Sequence, residues 1–225
     1  MRAQQLRTRA QVERDQGILA IVREELTRSG YDGVTMQRLA DRIGVVKKTL
    51  YNRYGSKDGL LQTAIAEVID GYRAEAFGTE PGIPAIIAVS SGGVRQLLAT
   101  PEYAQAMAKA VLQADEEHPL VAMLLADAIA DQVRHLEIAA SRNELLPGVA
   151  LRPLAEQLTA QTWGLVLLWS KGLLPLEQYE HVARTGLLTH LLAVTRGPRH
   201  DELAAALAAA LAAARRQQIQ ESCAR

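Results

Sequence analysis

The sequence predicts an all-α protein, with an N-terminal three-helix helix-turn-helix domain ahead of a larger helical domain. Three observations carry this. Apolar residues recur at a helical period from Ile18 to Val194. Glycines and prolines cut that pattern into helix-sized pieces, and no segment alternates apolar and polar residues as a strand would. The segment Thr35 to Lys57, TMQRLADRIGVVKKTLYNRYGSK, reads as a helix, a glycine turn and a second helix.

Residues 1–11 carry Arg2, Arg7 and Arg9 and read as a basic arm or a lead-in to the first helix. Residues 12–77 form the first domain, with its helix-turn-helix at about 35–54. Its first helix is expected over residues 14–29, with Ile18, Leu19, Val22 and Leu26 on one face. Gly30 then supplies a left-handed stop. Thr35 is placed to N-cap the second helix, where Met36, Leu39, Ala40 and Ile43 form a packing stripe that Gly44 ends. The third helix is expected from about Val46 to Tyr54. Gly55-Ser56 ends it, and Ser56 can cap a fourth carrying Leu61, Ile65, Val68 and Tyr72 on one side.

Residues 78–84, Gly-Thr-Glu-Pro-Gly-Ile-Pro, are the densest breaker cluster and read as a linker. The second domain is placed at 85–197, with helices expected over 86–99, 101–114, 119–141, 151–173 and 175–195. Prolines stand near several of the starts, where a missing N–H costs least. Residues 198–225 are an alanine-rich helix and tail, with Leu203, Leu207 and Leu211 as a thin stripe.

The 225 residues are 48% hydrophobic and 22% charged, enough to bury a core without disulfides or metal. The lone Cys223 cannot form an internal disulfide and reads as an incidental thiol. The N-terminus has no apolar stretch of signal-peptide type. The apolar-plus-glycine run Trp163 to Trp169 is far short of the roughly 18 residues of a membrane span. A cytoplasmic protein with no membrane partner is expected.

Net charge is zero but unevenly spread. Up to Lys57 there are 12 Lys/Arg against 6 Asp/Glu, and beyond it 13 against 19. A basic head on an acidic body suits polyanion binding. Enzyme chemistry is not expected. His118, His135, His181, His190 and His200 lack metal-ligand spacing with cysteine or carboxylates. There is no glycine-rich phosphate loop or nucleophile elbow, and no cofactor is implied. The acidic run Asp115-Glu116-Glu117 before His118 reads as a solvated loop.

The third helix has two faces. With Leu50 at the centre of its buried side, Val46 and Tyr54 flank it within about 40° at helical spacing. Lys48 and Asn52 then point away, with Thr49 and Tyr51 to either side and Lys47 near the helix start. Lysine can donate to guanine, asparagine can pair with adenine, and threonine can touch a thymine methyl. Thr35, Arg53 and Lys57 are placed to hold phosphates and fix register. These residues together predict a surface for double-stranded DNA.

A set of residues at fixed spacing makes this specific: Ser29-Gly30-Tyr31-Asp32-Gly33-Val34-Thr35, Leu39-Ala40, Ile43-Gly44-Val45, Thr49-Leu50-Tyr51, Tyr54-Gly55-Ser56-Lys57 and Leu60-Leu61. The stretch from about Val12 to Tyr72 resembles the N-terminal domain of the TetR family of transcriptional regulators. The resemblance implies an all-helical homodimer whose heads bind a palindromic operator, and most often a repressor released by a small-molecule effector. It implies phosphate contacts from Tyr51 and Lys57. It also implies that the last two long helices pair with their copies, with Gly164, Leu168, Gly186 and Leu187 as candidate contacts. An effector cavity would lie between helices of the body. Tyr103, Met107, Met123 and Trp163 are candidates to line it, and His118 and His135 to orient a ligand.

Two features depart from the family pattern. Val46 stands where a serine or threonine often begins the third helix, so neither a capping nor a phosphate role transfers. Lys47-Lys48 replaces a pair that usually includes a small residue. Two other readings stay open: an effector-independent or protein-regulated DNA-binding protein, and a helical enzyme or binding module with an appended helix-turn-helix.

Overall fold

The computed structural model describes residues 2–75, 78–114, 118 and 121–223, with side-chain surroundings over 14–74, 78–114, 118 and 121–216. The acidic run 115–117, Pro119 and the side chains of Arg2, Arg7, Arg9 and Cys223 lie outside what is described. The helices are α1 (Arg2–Gly33), α2 (Met36–Ile43), α3 (Lys47–Tyr54), α4 (Lys57–Glu75), α5 (Ile83–Ala99) and α6 (Pro101–Gln113). A π-helical turn (Ala122–Ala126) then leads into α7 (Asp127–Ser141), α8 (Leu151–Ser170), α9 (Leu176–Val194) and α10 (Gly197–Cys223). Among the described residues there is no strand, only an isolated bridge between Leu145 and Thr195. The fold is all-α.

Two compact units form, one from residues 1–72 with 100–122, the other from 73–99 with 123–225. In the first, α1 buries Ile18, Leu19, Val22 and Leu26, the face its spacing predicts. Met36, Leu39 and Ala40 of α2 and Leu60, Leu61, Ala64 and Ile65 of α4 are buried as well. Helix α6 packs along α1 and buries Met107, Ala108 and Val111. In the second unit one cluster joins Ile83 and Ile86 of α5, Leu136 and Ala139 of α7, Leu154, Ala155 and Leu158 of α8, Leu187, Leu188 and Leu191 of α9, and Leu203 of α10.

Among the differences from expectation, three concern where helices start and end most directly: α1, α5 and α10. Helix α1 starts at Arg2, so the basic arm is a helical lead-in, and Gly30 (φ 68°, ψ 172°) kinks it before a final turn to Gly33. Helix α5 starts at Ile83, inside the breaker cluster, because Pro84 sits in the first turn, where no N–H is needed. Helix α10 starts at Gly197 and its first turns are held by more than its leucines. Arg199 pairs with Glu80 at 3.0 Å, with Glu144 at 3.2 Å and with Glu202. The Arg196 N–H donates to Glu144 O at 2.9 Å, and the Leu146 N–H to Val194 O at 2.9 Å. Along α10 Leu203 is buried, Leu207 partly buried and Leu211 exposed. The first half of this alanine-rich helix is therefore docked.

Candidate nucleic-acid interface

The helix-turn-helix is built by caps. Thr35 is extended (φ −126°, ψ 146°), and its Oγ1 accepts the Arg38 N–H at 3.3 Å. That satisfies one of the four free N–H groups at the start of α2. Gly44 closes α2 in the left-handed conformation (φ 78°, ψ 34°), with its N–H on Ala40 O at 2.9 Å. A side chain there would be strained, and the reversal lets α3 begin at Lys47. At the far end of α3 the Gly59 N–H donates to Ser56 Oγ at 3.0 Å. A Cβ on Gly59 would stand 2.3 Å from Tyr54 O, so only glycine lets α4 start this close to the end of α3.

Leu50 is 1% exposed and is the one buried residue of α3. Lys47, Lys48, Thr49, Tyr51, Asn52 and Arg53 are all exposed. The two-faced reading of this helix therefore holds at every one of these positions. Val46 is the correction. Helical spacing put it beside Leu50 on the dry side, yet it is 74% exposed. It is the N-cap residue with extended backbone (φ −73°, ψ 139°). Helical angles do not apply to a residue outside the helix, and its side chain swings away from the core.

The expected phosphate-holding residues have partners of their own. Arg53 forms an ion pair with Asp15 of α1 and lies 5.4 Å from the Tyr54 ring centre. Lys57 donates to Tyr31 O at 3.3 Å and sits 5.1 Å from the Tyr31 ring centre. The Tyr31 hydroxyl donates to Asp58 Oδ1 at 2.9 Å, and burial, then Asp58, push its phenol well above the ordinary value. These contacts fix α3 and α4 against α1. Lys47 instead lies 5.7 Å from the Tyr51 ring centre on the outer face, where both stay accessible.

Sequence reasoning missed Glu25. It is fully buried in α1. Ser29 Oγ donates to it at 2.7 Å, Arg42 at 3.0 Å, and Arg38 pairs with it at 2.9 Å, with Arg28 beside it. Arg42 also reaches Glu24 at 2.7 Å. Burial alone would raise the carboxyl's pKa. The bonds from Ser29 and Arg42 and the charges of Arg28 and Arg38 outweigh it and hold the group below the ordinary carboxylate value. The only sequence signal was that Glu25 sits next to Leu26 on the apolar side of its helix.

Residues 18–64 match the model of bacterial regulatory proteins of the tetR family. That match covers the helix-turn-helix segment and makes the head of the chain similar to the DNA-binding part of that family. At family level this supports a DNA-binding regulatory function for the head. No curated protein matches the chain significantly. Among solved structures it is similar to a TetR-family transcriptional regulator from Rhodococcus sp., with TM-score 0.66 and 20% identity over 82% of this chain and 100% of that one. It is similar to a gamma-butyrolactone receptor, with TM-score 0.57 and 18% identity over 90% of this chain and 97% of that one. It is also similar to a fatty acid degradation regulator from Bacillus halodurans, with TM-score 0.62 and 15% identity over 77% and 97%. At these identities the likeness shows a shared fold.

The other candidate residues fall in both units. In the first, Met107 is buried and Tyr103 partly so, with a buried hydroxyl that has no hydrogen-bond partner; burial pushes that phenol up. In the second, Met123 lies in the π-helical turn and Trp163 on α8, both partly buried. His118 packs edge-on against Tyr31 with ring centres 4.9 Å apart. His135 accepts the Gly82 N–H at 3.3 Å, which gives it a structural role. Gly164 and Leu168 are exposed on α8 beside Leu167. Leu187 is in the core, and the space a Cβ would need at Gly186 is filled by Gln161 of the same chain. Among the described residues no group of three or more His, Cys, Asp or Glu is placed to hold a metal ion. Among the described residues no single helix is long and apolar enough to cross a membrane.

Proposed function

We propose that the chain is a dimeric, cytoplasmic repressor that reads a palindromic operator and is released by a small organic effector. One observation carries the DNA reading. An eight-residue helix buries a single side chain, Leu50, and turns Lys47, Lys48, Thr49, Tyr51, Asn52 and Arg53 outward. Lys48, Thr49 and Asn52 read base edges, while Tyr51 and Thr35 contact phosphates. Arg53 and Lys57 add positive charge and hold α3 at its entry angle through Asp15 and Tyr31.

One head offers too few base contacts for a specific site, and a two-fold dimer matches two half-sites. The exposed Gly164, Leu167 and Leu168 on α8 support pairing with a second copy there, with Gly186 and Leu187 backing it from α9. Residues 12–77 act as the DNA-binding domain and 85–197 as the effector and dimerisation domain. The names of two similar structures, a gamma-butyrolactone receptor and a fatty acid degradation regulator, support a largely apolar effector. Within the first unit Met107 and the Tyr103 hydroxyl, and within the second Met123 and Trp163, are the candidate groups for it.

The test is selection of bound sequences from random duplex DNA with the purified chain. An inverted repeat is expected, and no enrichment of any sequence overturns the reading. Asn52→Ala is expected to relax preference at one base pair of each half-site, by about 1–3 kcal/mol. Equal weakening on every duplex removes Asn52 from base reading. Lys57→Ala is expected to weaken binding evenly across sequences and to flatten the salt dependence by about one unit of slope. An unchanged slope assigns Lys57 wholly to Tyr31.

A further inference from the structure

Over residues 14–72 two large apolar side chains are exposed, Val46 and Tyr51, and both belong to the α3 segment. Every other exposed side chain at the start of α3 is polar. Val46 does not cap its helix, since no side-chain hydrogen bond reaches the first turn. It has no place in the core, being 74% exposed. Yet its backbone is fixed, because the Thr49 N–H donates to Val46 O at 2.8 Å. A serine or threonine would serve the fold better here by capping. The position therefore forgoes a stabilising role and shows water a stiff apolar group next to Lys47 and Lys48.

We propose that Val46 reads the 5-methyl group of a thymine in each half-site. The inference rests on the DNA reading above and adds a specificity residue to it. A helix in the major groove contacts base edges chiefly with its N-terminal residues, and Val46 is the first of these. The thymine methyl is the one apolar group on the base edges there. A valine has no donor or acceptor, so it gains from that methyl and from no other base-edge group. Against cytosine it would cover the N4 amino group without bonding it, which costs affinity. A β-branched side chain has few rotamers to lose on docking.

The experiment uses the duplex selected by the full chain. Each thymine is replaced by deoxyuridine, symmetrically in both half-sites, which removes the methyl and leaves base pairing intact. At one position the parent protein is expected to lose about fourfold in affinity per half-site, the value of one buried methyl. Val46→Ser should bind the thymine and deoxyuridine duplexes equally at that position and keep its preference at the base pair read by Asn52. Val46→Thr, which keeps one methyl, should recover part of the discrimination. Matching melting curves check that the variants fold alike. If the parent and Val46→Ser respond alike to every deoxyuridine duplex, the inference falls while operator binding stands. If no duplex is enriched in the selection, both fall.

Discussion

Leu50→Ala is expected to destabilise the first unit by about 2–4 kcal/mol and to lower operator affinity at least tenfold at temperatures where the variant is still folded. Truncating a fully buried leucine loses its transfer free energy and leaves a cavity, which together cost about 2–5 kcal/mol. The position matters beyond that sum. An isolated helix of eight residues is not stable in water, since helices shorter than about 12–15 residues are marginal. Helix α3 exists because it is packed, and Leu50 is its one buried residue. Its other supports include the half-buried Tyr54, the Gly55 cap at its C-terminal end and the Arg53–Asp15 ion pair. An ion pair this exposed contributes at most about 1 kcal/mol. Without Leu50 the outer side chains lose their common frame, so base reading and stability should fall together. Lys48→Ala is the contrast. It is expected to change stability by less than about 0.5 kcal/mol, as exposed substitutions do, while weakening DNA binding. Urea melts followed by circular dichroism, with binding curves on the selected duplex, separate the two. A Leu50→Ala variant as stable as its parent would mean that α3 is held some other way.

What could be read from the residues in advance follows the physics of each signal. Thr35, Gly44 and Gly55 mark helix ends because capping and left-handed backbone depend on single residues and their immediate neighbours. The outer face of α3 was legible because a helix has one period and Leu50 fixed its phase. Val46 was misplaced for the same reason: it lies one residue outside the helix, where that phase stops. The start of α5 at Ile83 was hidden because proline both breaks helices and begins them. Glu25 and the Arg199 latch were not legible at all. Each depends on charges far apart in sequence, Glu25 with Arg38 and Arg42, Arg199 with Glu80 and Glu144. Periodicity carries no information about such pairs.

Glu25 is where that hidden layer should show the largest effect. Its carboxylate is out of water and takes hydrogen bonds or ion pairs from Ser29, Arg42, Arg38 and Arg28. It ties α1 to the helix that orients α3. Removing one partner from a buried charge cluster costs about 3–5 kcal/mol when the remaining charges stay buried. Here the arginines are partly exposed and can turn to solvent, so Glu25→Ala is expected to cost about 2–3 kcal/mol at neutral pH. The pH dependence gives an independent check. The folded carboxyl titrates below its ordinary value of 4.5. Its contribution is therefore fully present above that value and is lost as pH falls through the lower folded one. Between pH 7 and pH 5 the parent should hold its margin over Glu25→Gln, and below about pH 4 that margin should shrink. Denaturant midpoints across this range, read by circular dichroism, test it. A constant gap between parent and Glu25→Gln down to pH 3 would show that hydrogen-bond geometry, and not the charge of Glu25, holds α2 against α1.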